Sequence, residues 1–156
     1  MKGYPVVLQL SGKKAVVIGG GRIAARKVKS LLETEADITV VSPKLTGQLA
    51  KWVNEGRIAW RQKCFHIRDL ADAFIVIAAT NDDGLNHLIA MHCHQHQLVN
   101  VASDGKAGNF IVPASFARGD INISVSTGGT NPSLAKQIRD AIASAFDEAS
   151  SNWNKD

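Results

Sequence analysis

Cysteine, aromatic residues and long apolar runs are all scarce in this chain. Cys64 and Cys93 are the only thiols among 156 residues, which leaves no disulfide framework and suits a reducing compartment. Aromatic residues make up 6%, and lysine and arginine are dispersed rather than massed. The formal charge of +4 is therefore a weak sign of a nucleic-acid surface; a polyanionic small molecule, or no charged partner at all, suits so modest an excess as well. No apolar run approaches the ~20 residues that span a bilayer. The opening Met1-Lys2-Gly3-Tyr4-Pro5 starts no apolar leader, so a cytoplasmic chain without membrane attachment is expected. What is present is ordinary for a globular protein: 45% hydrophobic and 21% charged residues, in a length suited to one domain, or one with a small appendage.

The strongest local signal is Val16-Val17-Ile18-Gly19-Gly20-Gly21-Arg22-Ile23-Ala24. It reads as a buried strand, a tight turn and a helix start. Gly19, Gly21 and Ala24 fit the spacing that lets a backbone approach a pyrophosphate. Gly19 turns the chain, Gly21 offers no Cβ to the phosphates, and Ala24 lets the helix lie close to the sheet. With Gly20, Arg22 and Ile23 they form the candidate dinucleotide turn, set at the positive end of a helix.

Strand and helix signals alternate around it. Strands are expected at 14–18, 37–41, 58–61, 74–79 and 98–102, and helices at 22–32, 45–55 and 83–96, with Ile23, Val28, Leu31 and Leu32 as the apolar face of the first. This rhythm predicts an α/β, Rossmann-like, doubly wound parallel sheet. It breaks at 109–112 and 121–125, two strands with no helix between them, before a helix over 132–146 capped by Asn131. The tail 150–156 reads as frayed. A boundary at Val112–Pro113 divides 1–112 from 113–156.

The second strand ends Val41-Ser42-Pro43-Lys44 without the carboxylate that commonly holds an adenine ribose. Ser42 and Pro43 are candidate cofactor contacts, or merely the end of a strand. NAD and NADP are not separated by this segment. Thr80 and Asn81 follow a strand ending in small residues, where a cofactor can pass, and offer polar contacts there.

Four of the five histidines fall at His87, His92, His94 and His96. His92 and His96 have the helical spacing of a metal pair, but the stretch precedes a strand and reads as a solvated helix face. No metal site is assigned.

These motifs, with Asn100-Val101-Ala102-Ser103-Asp104, Asn109-Phe110-Ile111-Val112-Pro113-Ala114 and Val125-Ser126-Thr127-Gly128-Gly129-Thr130-Asn131-Pro132, resemble the precorrin-2 dehydrogenase family, which includes the N-terminal part of sirohaem synthase. Pro5 to Leu10 and Leu134 to Arg139 resemble it too, so the likeness covers residues 4–146. The resemblance implies oxidation of precorrin-2 to sirohydrochlorin by NAD⁺, and in some members insertion of ferrous iron. It also implies a dimerisation region after the nucleotide-binding domain, hence a homodimer, and often a small helical domain that is largely missing here.

The family's Asn-Val-x-Asp stretch carries its key aspartate at the fourth position. Here that position is Ser103, with Asp104 next, so Asp104 and Ser103 are the candidate catalytic residues. A carboxylate can act as a general base; a serine alone is a poor one. The substrate is a tetrapyrrole bearing many acetate and propionate groups. Candidate substrate contacts are Asn100, the loop Ser126, Thr127 and Gly128, and Lys136. A different class of function, a sensor or scaffold that binds NAD(H) without catalysis, is favoured by the serine at 103. The whole segment 109–146 argues against it, because a bare sensing domain does not need that arm.

Overall fold

The computed structural model describes residues 3–153. It divides into two compact units, Val6–Phe110 and a second built from residue 111 onward together with residues 3–5.

In the first unit, β1 (Lys14–Ile18), β2 (Asp37–Val41), β3 (Ala59–Arg61), β4 (Ile75–Ala78) and β5 (Leu98–Val101) form one sheet. Every pairing is parallel, and the order is β3-β2-β1-β4-β5. Val17 sits between Val40 on one side and Ile77 on the other. The chain winds outward from β1 to β3, then returns to β4, so its direction reverses between β1 and β4. Sheets of this kind bind ligands at the carboxyl ends of the strands beside that reversal.

Helices α1 (Arg22–Leu31) and α2 (Gly47–Asn54) cover one face, and α3 (Asp83–His92) packs on the other. Val17, Val40, Ile75 and Ile77 meet Ala24, Val28, Leu31, Leu49 and Trp52. Val16, Ile18, Val41, Val76 and Ala78 meet Leu70 and Ile89. Because both faces are covered, the central strands have no polar alternation, which is why they read as unbroken apolar runs.

Several expectations need correction. Ile23 is not part of the buried stripe of α1: Ala24, Val28 and Leu31 are buried and Ile23 is 44% exposed. One residue is a 100° turn of the helix, enough to move Ile23 off the core face. Helix α3 stops at His92 rather than residue 96. Gln97, fully buried, donates its side-chain amide to the Leu70 carbonyl at 2.6 Å and the Ala73 carbonyl at 2.8 Å, while its Oε1 accepts from His94 N–H at 2.8 Å. Those bonds hold residues 94–97 in a turn.

No strand forms at 109–112. Asn109 instead serves the outer edge of β5: its Oδ1 accepts from Val99 N–H and its Nδ2 donates to the Gln97 carbonyl, both at 2.7 Å. That covers an edge that would otherwise stand open. Pro113, which has no N–H to give a ladder, precedes the true strand.

The second unit contains β6 (Ala114–Arg118), β7 (Ile121–Val125) and α4 (Pro132–Trp153). The strands pair antiparallel with Phe116 opposite Ile123, and α4 packs on both. Phe116 meets Phe146 edge-on at 6.2 Å, and the Arg118 guanidinium grips Asp147 with two bonds of 2.8 Å. These two contacts stand at and beyond the expected helix end, and α4 runs on to Trp153 where a frayed tail was expected. Residues 154–156 lie outside the described residues. Among the described residues, no helix is long and apolar enough to cross a membrane.

Candidate active site

The turn from β1 to α1 is held from beneath. Gly19 N–H donates to the Val41 carbonyl at 3.0 Å, and the Gly20 carbonyl accepts from Thr46 N–H at 2.9 Å. Gly19 has φ +122°, and a Cβ there would overlap the Ala79 carbonyl. A Cβ on Gly20 would overlap the Lys44 carbonyl. Both glycines are therefore required by the protein's own backbone.

Gly21 differs. Its φ is −86° and ψ −173°, an extended conformation open to any residue. A Cβ built on it meets nothing within 4 Å. It precedes a helix that has no side-chain cap and no acidic residue in its first turn. The first backbone bond of α1 runs from Ala25 N–H to the Gly21 carbonyl, 3.0 Å, so the N–H groups ahead of it leave the helix end unpaired. Open space over an uncapped helix N-terminus suits a phosphate. The turn thus fits a dinucleotide pyrophosphate. Arg22 and Ile23 are exposed beside it, and Ala24, fully buried, seats the helix on the sheet.

Ser42 is buried, and its hydroxyl donates to the Lys44 carbonyl at 2.8 Å while its own carbonyl accepts from the Trp60 indole at 2.9 Å. Its donor is spent on shaping the loop beneath Gly20, which is the plainer of its two expected roles. Pro43 is exposed next to it.

Past β4, Thr80 is bound by a residue that sequence reasoning missed. Asn86, fully buried on α3, accepts from Thr80 N–H at 3.0 Å and from its hydroxyl at 2.8 Å, and donates to the Thr80 carbonyl at 3.2 Å. The same amide reaches Ser103 Oγ at 3.4 Å. Asn86 therefore ties the loop after β4 to the loop after β5. Nothing local in the sequence distinguishes it from a surface helical asparagine. Asn81 is exposed in the first of those loops, and Asp82 caps α3 through Leu85 N–H at 3.0 Å.

In the second loop, Asp104 Oδ1 accepts from Lys106 N–H at 2.9 Å and Oδ2 lies 3.3 Å from His87 Nε2. The Lys106 N–H, and then His87, hold the Asp104 carboxyl below the usual carboxylate range. Asn100 lies in β5, and its buried Oδ1 has no hydrogen-bond partner among the described residues. The residue is 4% exposed, and its Nδ2 donates to the Phe110 carbonyl at 3.1 Å.

The remaining candidates lie in the second unit. Ser126 Oγ accepts from Gly128 N–H at 3.1 Å, and Thr127 Oγ1 from Asn131 N–H at 3.1 Å. Asn131 caps α4 through Leu134 N–H at 2.9 Å. Lys136 is exposed on the helix.

The histidines at 92 and 96 do not share a helix face, because α3 ends between them. His92 ends α3 and its Nδ1 lies 2.8 Å from the Leu88 carbonyl, whereas His96 stacks on His94 with ring centres 5.5 Å apart. Burial pushes the Cys93 thiol between them up to about 11. Among the described residues, no three histidine, cysteine or acidic side chains gather as a metal cluster.

The sheet order and the glycine turn define a dinucleotide-binding domain, and residues 6–114 match the family described as "Putative NAD(P)-binding". Precorrin-2 dehydrogenase from Priestia megaterium is 36% identical over 97% of this chain and 75% of its own length. The Bacillus subtilis precorrin-2 dehydrogenase is 36% identical over 92% of this chain and 88% of its own. The siroheme synthase of Mannheimia succiniciproducens is 38% identical over 91% of this chain but only 30% of that longer protein. The solved structure of SirC, a precorrin-2 dehydrogenase, superposes with a TM-score of 0.86 over 97% of this chain and 75% of that one, at 36% identity. The chain belongs to the precorrin-2 dehydrogenase family.

Proposed function

We propose that this protein oxidises precorrin-2 to sirohydrochlorin with NAD⁺, on the route to sirohaem. The observation that carries the reading is the extent of the match. Precorrin-2 dehydrogenases align over 92% and 97% of the chain, through β6, β7 and α4 as well as the glycine turn. A domain that only sensed NAD(H) would call for no such likeness beyond residue 110.

The oxidation removes two electrons and two protons from the tetrapyrrole: one hydride, and one proton. When bound, NAD⁺ supplies the hydride acceptor. The N–H groups at the start of α1 would hold its pyrophosphate, and the exposed Asn81 and Pro43 would be further contacts to it. Asp104 accepts the departing proton and passes it to solvent, with Ser103 beside it. The loop Ser126 to Gly128 and Lys136 meet substrate carboxylates. Cys64 and Cys93, both free thiols, fit a cytoplasmic setting.

An anaerobic mixture of purified protein, precorrin-2 and NAD⁺ should develop the visible absorption of sirohydrochlorin together with NADH. No rate above a protein-free control, in protein that still binds NAD⁺, would sink the proposal. Ferrous ion added to the finished product tests metal insertion separately.

The protein is proposed to work as a homodimer. A two-stranded sheet with one helix is marginal alone. The second unit also leaves Ile121, Leu134, Ile138 and Ile142 between 37% and 47% exposed, three of them four residues apart on α4. Sedimentation at micromolar concentration is expected to give twice the chain mass, and Ile138→Arg to halve it. A monomer mass for the unaltered protein contradicts this.

A further inference from the structure

His87 stands apart from the other histidines of its stretch. Its Nδ1 is 2.8 Å from the Asp83 carbonyl and its Nε2 is 3.3 Å from Asp104 Oδ2. A carbonyl oxygen only accepts, so the proton of that first bond is on Nδ1. A carboxylate also only accepts, so a neutral imidazole with its proton on Nδ1 would set a lone pair against Oδ2. Both contacts are bonds together when the ring carries two protons. The geometry thus counts one proton more than a neutral histidine and an ionised aspartate would hold.

We infer that His87, as the imidazolium, is a positioning residue for Asp104, gripping one carboxylate oxygen while the Lys106 N–H grips the other. This rests on the reading of Asp104 as the proton acceptor and adds to it how that acceptor is aimed. The carboxylate is on a loop, in a turn closed by the bonds of Asp104 to Lys106 N–H and of Ala107 N–H to the Asp104 carbonyl, 2.9 Å and 3.1 Å. Helix α3 supplies a fixed point from outside that loop. Asn86, one residue earlier on the same helix, reaches Ser103. Two adjacent side chains of α3 therefore set the two adjacent candidate residues after β5.

The charged groups facing the pair are Asp83 and Asp104 around His87, and Lys106 beside Asp104. The bond to the Asp83 carbonyl, then the Asp104 carboxylate, raise the His87 value above that of an ordinary histidine. A raised value means the grip is complete below the ordinary histidine range and is released as pH climbs through the raised value. Turnover is therefore expected to decline on the alkaline side through that single group.

The test combines spectroscopy and kinetics on the whole protein. Nitrogen-15 spectra of His87 should show both ring nitrogens protonated up to a titration point above the ordinary histidine value, which falls toward that value in Asp104→Asn. With precorrin-2 and NAD⁺, His87→Ala should lower kcat by roughly 10- to 100-fold, the scale of a misplaced catalytic group. KM for NAD⁺ should hold, and the alkaline decline should vanish. His87→Gln, which keeps a neutral donor, should restore part of kcat without restoring the decline. An unmoved His87 titration in Asp104→Asn overturns the inference. So does a wild-type pH profile in His87→Ala while Asp104→Asn is impaired, an outcome that leaves the proton-acceptor reading standing. Full activity in Asp104→Asn overturns both.

Discussion

A Gly21→Asp variant is expected to lose NAD⁺ binding by roughly 1,000-fold without losing thermal stability. The two effects have opposite origins at one position. The backbone of Gly21 is extended, as an N-cap residue requires, and its Cβ direction is empty. An aspartate there can accept from the unpaired N–H groups of α1, in the manner of a preferred cap. Its charge also favours the helix N-terminus by about 0.3–1 kcal/mol. Melting temperature should hold or rise slightly. The same carboxylate faces whatever anion the turn holds. Unit charges about 4 Å apart repel by about 4 kcal/mol at an effective dielectric near 20, close to three decades in affinity. Titration calorimetry with NAD⁺ and a thermal melt decide the matter together. Undiminished affinity would remove the pyrophosphate from this turn.

Gly19→Ala supplies the contrast. Its φ of +122° and the overlap with the Ala79 carbonyl make it a stability variant, costing about 1–3 kcal/mol for the strained backbone. Two glycines of one motif thus separate: Gly19 is required by the fold, and Gly21 is the one whose substitution tests the proposed pyrophosphate site.

The sequence made that motif visible, because a strand, a turn and a helix start are local events. The sheet was legible for the same reason. Continuous apolar strands such as Ile75–Ala78 announce burial on both faces, and alternation with helices announces parallel pairing. What stayed hidden depends on contacts distant in the chain. The end of α3 is set by Gln97 bonding to Leu70 and Ala73, more than twenty residues back. The segment 109–112 has strand-forming residues, but Asn109 spends its side chain on the edge of β5, so pairing goes elsewhere. Asn86 and His87 read as an ordinary stretch of helix. Their partners, Thr80, Ser103 and Asp104, become neighbours only when β4 and β5 lie side by side. Asn100 is a further case: its amide nitrogen holds the chain at Phe110, ten residues on, a bond its motif does not announce.

Asp104→Asn is expected to lower kcat by about 100-fold, near the lower limit of the range for a general base. The size follows from the environment of the carboxylate. An effective base has a pKa near the working pH, because it must be unprotonated yet still attract a proton. The Lys106 N–H and His87 draw the Asp104 value downward. The carboxylate form is therefore complete at neutral pH, but its appetite for a proton is modest. Solvent can replace part of what it does, which limits the loss. The sign on the acid side follows as well. A group with a lowered value keeps its charge as pH falls through the ordinary carboxylate range, so wild-type turnover should persist there and fail only below it. Ser103→Ala should cost far less, since its hydroxyl faces the Asn86 amide at 3.4 Å and has no base of its own. Asparagine at 104 retains the acceptor for Lys106 N–H and nearly the same volume, so NAD⁺ affinity and melting temperature should stay close to those of the parent. Loss of kcat with both of those intact assigns the proton to Asp104. Equal losses in Ser103→Ala and Asp104→Asn would move the assignment to the pair acting through Asn86.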